Sequence, residues 1–255
     1  MDNLSELKRF CKLLADESGK IIKQYYRTAI NIETKEDESP VTIADKKAEE
    51  VIRNLITKEF PDHGIIGEEF GELNSGAEYK WVLDPIDGTK SFVAGTPLFG
   101  TLIALMKNNE PILGVINQPV LNDFMIGDNE STLLNNQKVK VRECNNLSSA
   151  VLVATDHLHF GKYRTQKGFD ELVNKVKLYR MWGDCYGYFL IAAGYADIMI
   201  DPIMNPWDLT ALIPIIKGAG GTITDYYGGN PVNADSIIAT AGKIHGDVIS
   251  ILNTR

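Results

Sequence analysis

Apolar residues recur every three to four positions at the start of the chain: Leu4, Leu7, Phe10, Cys11, Leu14, Ile21 and Ile22. That period predicts an amphipathic helix over residues 3–27. A polar break, "IETKEDESP", ends at Pro40. Ala44, Ala48, Val51, Ile52, Leu55 and Ile56 then share one helical face, and Pro61 within "PDHG" stops this second helix. After that the pattern shortens. "GIIGEEFGELNSG" (64–76) reads as a short strand and a loop, and "KWVLD" as a strand. "LFGTLIALM" and "EPILGVIN", joined by "KNNE", read as a hairpin.

A second half opens with "AVLVAT" at 150–155. "GYFLIAAG" reads as a buried helix, "ADIMID" as a strand, and "PWDLTALIPIIKGAGG" as a helix closed by glycines. "GTITD" and "SIIAT" read as strands, and "KIHGDVISILN" as a last helix. Strands and helices alternate in mixed order, which predicts an α/β layered fold. The polar stretch "RECNNLSSA" places an internal boundary near residue 145, dividing the chain into halves 1–145 and 146–255.

Composition narrows the function classes. The 255 residues are 44% hydrophobic and 24% charged, an ordinary globular balance. No apolar run approaches the roughly 20 residues a membrane helix needs. The opening residues lack a secretory apolar core. Cys11, Cys144 and Cys185 are odd in number and widely spaced, which fits a reducing cytoplasm. A net charge of −8 argues against general nucleic-acid binding. An acidic protein can still take a phosphorylated small molecule if bound cations supply local positive charge.

The candidate chemistry lies in "WVLDPIDGTKSF" (81–92), where an apolar strand runs into two carboxylates. Asp84 and Asp87 would point to opposite faces of a continuous strand. Pro85 and Ile86 between them predict a turn that brings both to one centre. Gly88 allows close backbone approach, and the amides that follow can hold an anion. A helix starting near Ser91 would add to that anion site. Carboxylates for a hard cation beside amides for phosphate is what a metal-dependent phosphatase needs. The competing reading is that Asp-Gly is simply a surface turn. A phospho-aspartyl mechanism of the haloacid dehalogenase type is disfavoured, because its D-x-D-G-T spacing is one residue shorter than D-P-I-D-G-T.

Other acids have two readings each. Glu68 and Glu69 are a solvated pair or the end of a neighbouring strand. Asp208 is an N-terminal cap of its helix, which stabilises by about 1 kcal/mol, or a ligand. His157 and His159 have the spacing of a metal pair but are read as a loop near the mouth of the site.

Taken in order, "GEEF", "WVLDPIDGTKSF" and "NPWDLTALIPIIKGAGG" resemble the inositol monophosphatase family of magnesium-dependent, lithium-sensitive phosphatases. The resemblance extends over nearly the whole chain. It implies a five-layer αβαβα sandwich, usually homodimeric. It implies that Glu68, Asp84 and the Ile86 carbonyl hold a first metal, and that Asp84, Asp87 and Asp208 hold a second. A third, weaker ion would sit near Glu68. Thr89, hydrogen-bonded to Asp45, would orient the attacking water. The amides of Gly88, Thr89 and Lys90 would hold the phosphate. Two or three Mg²⁺ ions would neutralise the acids, lower the pKa of a water and stabilise the leaving oxygen. No Cys/His cluster suits zinc.

"YRMWGDCYGY" and "IDPIMNPWD" look most like the histidinol-phosphate phosphatase branch. The resemblance points Asp184 and Asp201 at the organic part of the substrate, where two acids suit a cation. Asp184 is otherwise a capping acid and Asp201 a strand-end acid. Arg164 and Arg180 are further candidate contacts, and Arg180 could equally form an ordinary ion pair. The expected activity is hydrolysis of L-histidinol phosphate to L-histidinol. The alternatives are an inositol phosphate or broad sugar-phosphate phosphatase, and a catalytically weak regulatory binding protein. The last is disfavoured because every acid the metals require is present.

Overall fold

The computed structural model describes residues 3–29, 32–34 and 40–254. Helix α1 (Leu4–Tyr25) begins at Asn3, whose side chain accepts from the Ser5 amide. It buries Leu7, Cys11, Leu14, Ala15 and Ile22, the stripe its periodicity predicts. Two short antiparallel strands follow, β1 (Ile32–Thr34) and β2 (Pro40–Thr42), in the segment read as a polar break. Residues 35–39 of that break lie outside the described residues. Helix α2 (Ile43–Glu59) opens with a capping box between Thr42 and Asp45.

The first large sheet is built from β3 (Gly64–Gly67), β4 (Gly71–Leu73), β5 (Tyr79–Asp87), and, after helix α3 (Thr89–Val93), β6 (Gly100–Lys107) and β7 (Glu110–Gln118). It continues through β8 (Asp123–Gly127), β9 (Thr132–Leu134) and β10 (Gln137–Val139). Its order is β10-β9-β8-β7-β6-β5-β3-β4. The hairpin read at residues 98–117 is β6–β7. β4 and β8 to β10 had no clear apolar alternation to signal them.

The second sheet contains β11 (Val151–Ala154) and, after helix α4 (Gln166–Lys175), β12 (Leu178–Arg180). Helix α5 (Asp184–Ala192) leads to β13 (Ile198–Asp201). The helix read across residues 206–221 is two, α6 (Pro206–Leu209) and α7 (Leu212–Gly218). β14 (Thr222–Thr224), β15 (Ile237–Thr240) and α8 (His245–Leu252) complete the chain, and the sheet order is β12-β11-β13-β15-β14.

The layers follow from which faces are apolar. One face of the first sheet, with Trp81, Leu83, Ile103 and Leu105, packs on Leu7, Cys11 and Leu14 of α1 and Ile52 and Ile56 of α2. Its other face, with Val82, Leu102 and Ala104, shares a core with α5 and α7 and with Val153, Met199 and Ala239 of the second sheet. The far face of the second sheet packs on Phe169 of α4 and Val248 and Leu252 of α8. The result is the expected αβαβα sandwich. Gly114 sets the spacing of the central layer. A Cβ there would stand 1.9 Å from the Ala211 carbonyl, so only glycine lets α6 and α7 seat on β7.

Candidate active site

The site forms where the end of β5 meets the first turn of α6. No turn is needed to bring Asp84 and Asp87 together. β5 runs on through Asp87, with Asp84 opposite Leu102 and Asp87 opposite Gly100. Three steps on β5 therefore span two on β6. This extra residue is a β-bulge, and it returns Asp87 to the face Asp84 already occupies. Thr101 Oγ1 donates to the Pro85 carbonyl (2.9 Å), and Thr89 Oγ1 donates to the Ile86 carbonyl (3.0 Å). Both carbonyls exposed by the bulge are thereby tied down.

Asp208 arrives from α6. Its Oδ2 accepts from the Asn205 amide (2.7 Å), completing a capping box. The capping and cluster readings of Asp208 are therefore compatible. Ligand oxygens of Asp84, Asp87 and Asp208 all lie within 4.8 Å of one another. The Cys185 amide at the start of α5 donates to Asp87 Oδ2.

Glu68 reaches the cluster from the turn after β3, where its amide donates to the Leu83 carbonyl (3.2 Å). Its side chain hydrogen-bonds Asp84. Glu49 holds that turn, a role the sequence did not signal. It is buried on α2, accepts from the amides of Glu69 (2.8 Å) and Phe70 (3.2 Å), and pairs with Arg53.

The electrostatics are those of crowded anions. Burial pushes Asp84 well above the usual carboxylate range, and Glu68, Asp87 and Asp208 push it further. Burial, then Asp184 and Asp208, do the same to Asp87. Asp208 rises to about 7 through burial, partly offset by the Asn205 amide. Asp84 Oδ1 is buried with no hydrogen-bond partner. An orphaned carboxylate oxygen amid three other acids is the environment a hard divalent cation completes. The donor set fits such an ion.

Gly88 follows the bulge with φ +87°, a left-handed conformation that glycine adopts freely. It also serves as the cap of α3, whose first-turn amides have no intrahelical partners. A Cβ on Gly88 would approach Asp184 Oδ2 to 3.0 Å.

One expected contact is absent. Asp45 Oδ2 accepts from the Thr42 amide (2.9 Å) and hydroxyl (2.6 Å), while the Thr89 hydroxyl turns to Ile86. The Asp45–Thr89 bond is replaced because Asp45, three residues past Thr42, serves its own helix cap. Burial, against the Thr42 bonds and with Glu69 and Glu68 nearby, raises Asp45 to about 7.

A cavity of about 390 Å³ opens beside Lys90. Thr155, Asp156, His159 and Tyr163 line it together with the buried Asp201. Of the two histidines expected at the mouth of the site, His159 lines this cavity, whereas His157 meets Asp170 (3.1 Å). Thr155 Oγ1 accepts from the Asp184 amide (2.9 Å). Asp201 Oδ2 accepts from the Tyr188 hydroxyl (2.9 Å). Burial raises Asp201 to about 7. Burial raises Asp184 to about 6 against the opposing charge of Lys90. Arg180 does not line this cavity, and its Nη1 donates to the Tyr179 carbonyl (2.7 Å). Arg164 is bound to Asp235 and Ser236.

Comparison with known proteins follows the same lines. The family model described as "Inositol monophosphatase family" matches residues 3–255. The chain belongs to the inositol monophosphatase family. It is 46% identical to the bifunctional phosphatase IMPL2, chloroplastic, of Arabidopsis thaliana over 88% of this chain and 66% of that protein. It is 42% identical to a histidinol-phosphatase of Chlorobaculum parvum over 84% of each. The solved inositol monophosphatase of Zymomonas mobilis superposes with a TM-score of 0.88 at 33% identity, covering 100% of both chains. Membership identifies the protein as a metal-dependent phosphoric monoester hydrolase. Among the described residues, no helix is long and apolar enough to cross a membrane.

Proposed function

We propose that the protein is a Mg²⁺-dependent phosphatase that hydrolyses L-histidinol phosphate to L-histidinol. The observation that carries the substrate is the cavity beside Lys90, walled by Asp156 and Asp201 and adjoined by Asp184. Such a wall favours an organic group bearing an ammonium and an imidazole, both hydrogen-bond donors to carboxylates. The 42% identity to a histidinol-phosphatase supports the same substrate.

Asp84, Asp87, Asp208 and Glu68, with the free lone pair of the Ile86 carbonyl, would hold the ions. When bound, Mg²⁺ supplies Lewis-acid stabilisation of charge on the phosphate and its leaving oxygen. The chain does the rest. The amides of Gly88, Thr89 and Lys90 hold the phosphate oxygens at the open end of α3. The Thr89 hydroxyl has committed its proton to Ile86, so it presents only lone pairs. It can therefore accept from the incoming water and orient its oxygen towards phosphorus. Water adds to phosphorus, the ester P–O bond breaks, and the alcohol departs with a proton.

The same reading carries a homodimer, and a reducing cytoplasm that suits three buried, unpaired cysteines. Inositol 1-phosphate is the competing substrate, because the Zymomonas mobilis structure is that of an inositol monophosphatase. Phosphate release from L-histidinol phosphate, inositol 1-phosphate, adenosine 3′,5′-bisphosphate and fructose 1,6-bisphosphate, with and without Mg²⁺, separates them. We expect the highest kcat/KM on L-histidinol phosphate. A flat profile, or preference for inositol phosphate, would overturn the substrate and leave the phosphatase chemistry standing.

A further inference from the structure

Three acids surround the organic end of the cleft, and they are not equivalent. Asp184 lies under the opposing charge of Lys90. Asp201 is buried at 5% exposure, and its carboxylate accepts from the Tyr188 hydroxyl (2.9 Å). Asp201 is thus enclosed by the protein, and Asp184 does not line the cavity. Asp156 differs. It stands at the cavity rim, and its side chain remains 44% exposed.

Local bonds orient Asp156. Its Oδ1 accepts from the His159 amide (3.2 Å) and its Oδ2 meets His159 Nδ1 at 2.6 Å. Each carboxylate oxygen has a second lone pair, so these bonds fix the group without exhausting it. Burial is the largest single influence and raises its pKa, but the bonds and charge of His159 and the Leu158 amide together outweigh it and hold Asp156 below the usual range, so it stays ionised. The walls beside it are apolar: Phe160, Tyr163 and Ile203 line the same cavity, the last two each 47% exposed. Lys90 and Lys162 are the opposing cations of this cavity, and both are exposed.

We propose that Asp156, held in place by His159, is the specificity-determining carboxylate that binds the ammonium of a cationic amino-alcohol phosphate. Asp201 then shapes the cavity wall, and Asp184 faces the charge of Lys90. The apolar walls take the substrate's ring. This inference rests on the reading of a cationic substrate given above, and names the residue that recognises it.

The test compares L-histidinol phosphate with an uncharged alkyl phosphate, in wild type and Asp156→Asn, at fixed Mg²⁺. The readout is the ratio of their kcat/KM values. A charge-assisted hydrogen bond predicts a fall in that ratio of roughly ten- to a hundred-fold in the variant, mostly through KM. Asparagine can still accept from the His159 amide, so the loop is retained. Asp156→Ser, which also accepts there, provides a second variant should the first fold poorly. If wild type prefers the cationic substrate and both variants keep the full ratio, Asp156 is excluded and the cationic reading survives. If wild type shows no preference, the cationic reading fails, and this inference fails with it.

Discussion

Asp84, Asp87 and Asp208 crowd one another at the end of β5, whereas Asp156, Asp184 and Asp201 each have a companion in the protein. The first group repels itself, and one of its oxygens is buried without a partner. The second group is answered, in that order, by His159, by Lys90 and by Tyr188. The difference teaches what each group is built to meet. Acids within 4.8 Å of one another, held by the Cys185 and Asn205 amides rather than by a cation, suit small, highly charged ions. Acids already oriented by a neighbour suit a larger organic group, because their geometry is set before the ligand arrives.

The largest effect that would break this comparison comes from Asp87→Asn. Removing one charge should cut phosphate release by roughly a thousand-fold or more, the scale of several kcal/mol of lost charge stabilisation. The amide oxygen can still accept from Cys185, so the fold should persist. Relief of repulsion should also raise the melting temperature of the metal-free protein. Full activity in this variant would exclude the cluster from the chemistry.

Glu49→Gln should act more gently. It weakens the clamp on the turn carrying Glu68 without touching the cluster. We expect the Mg²⁺ concentration for half-maximal activity to rise roughly 10- to 100-fold, as for other groups that orient metal ligands. Titrating Mg²⁺ against activity checks this. A shift in substrate preference instead would assign Glu49 to the organic end.

The smallest effect is on stability. Asp45, Asp201 and Asp208 are raised to about 7 in the folded protein, above the roughly 4 of an unfolded chain. They favour the fold while protonated, most fully below about pH 4. That contribution is lost as pH rises through 7, where the fold confines charge that water would solvate. Metal-free protein should therefore melt on the order of 5 °C lower at pH 8 than at pH 5.5. Mg²⁺ should recover the loss at pH 8 and do much less at pH 5.5. Equal Mg²⁺ stabilisation at both pH values would contradict the crowded-anion account.

The helices α1 and α2 were legible because their apolar stripes are long and regular. β5 to β7 were legible because they are buried on both faces. The bulge was not. Pro85 and Ile86 between two aspartates announced an irregularity, and a turn and a bulge read alike in one dimension. The difference lies in β6, where Leu102 and Gly100 set the register. Asp208 was legible as a cap and as a ligand, and it is placed for both. Asp45 misled because its nearest partner is three residues away in sequence and not across the site. Glu49 and Asp156 gave no signal. Each acts through neighbours that folding supplies, the turn after β3 for one and the His159 loop for the other.

The clustered acids come from two distant stretches of chain, β5 and α6. A ribosome-bound chain that has not yet delivered Pro206–Leu209 holds Asp84 and Asp87 but not Asp208. It cannot assemble the cluster, however well its first sheet has folded. Completion of the cluster is thereby deferred until late in synthesis, after the second sheet has begun to form. A half-made chain carries Glu68, Asp84 and Asp87 but lacks the acid that completes their group.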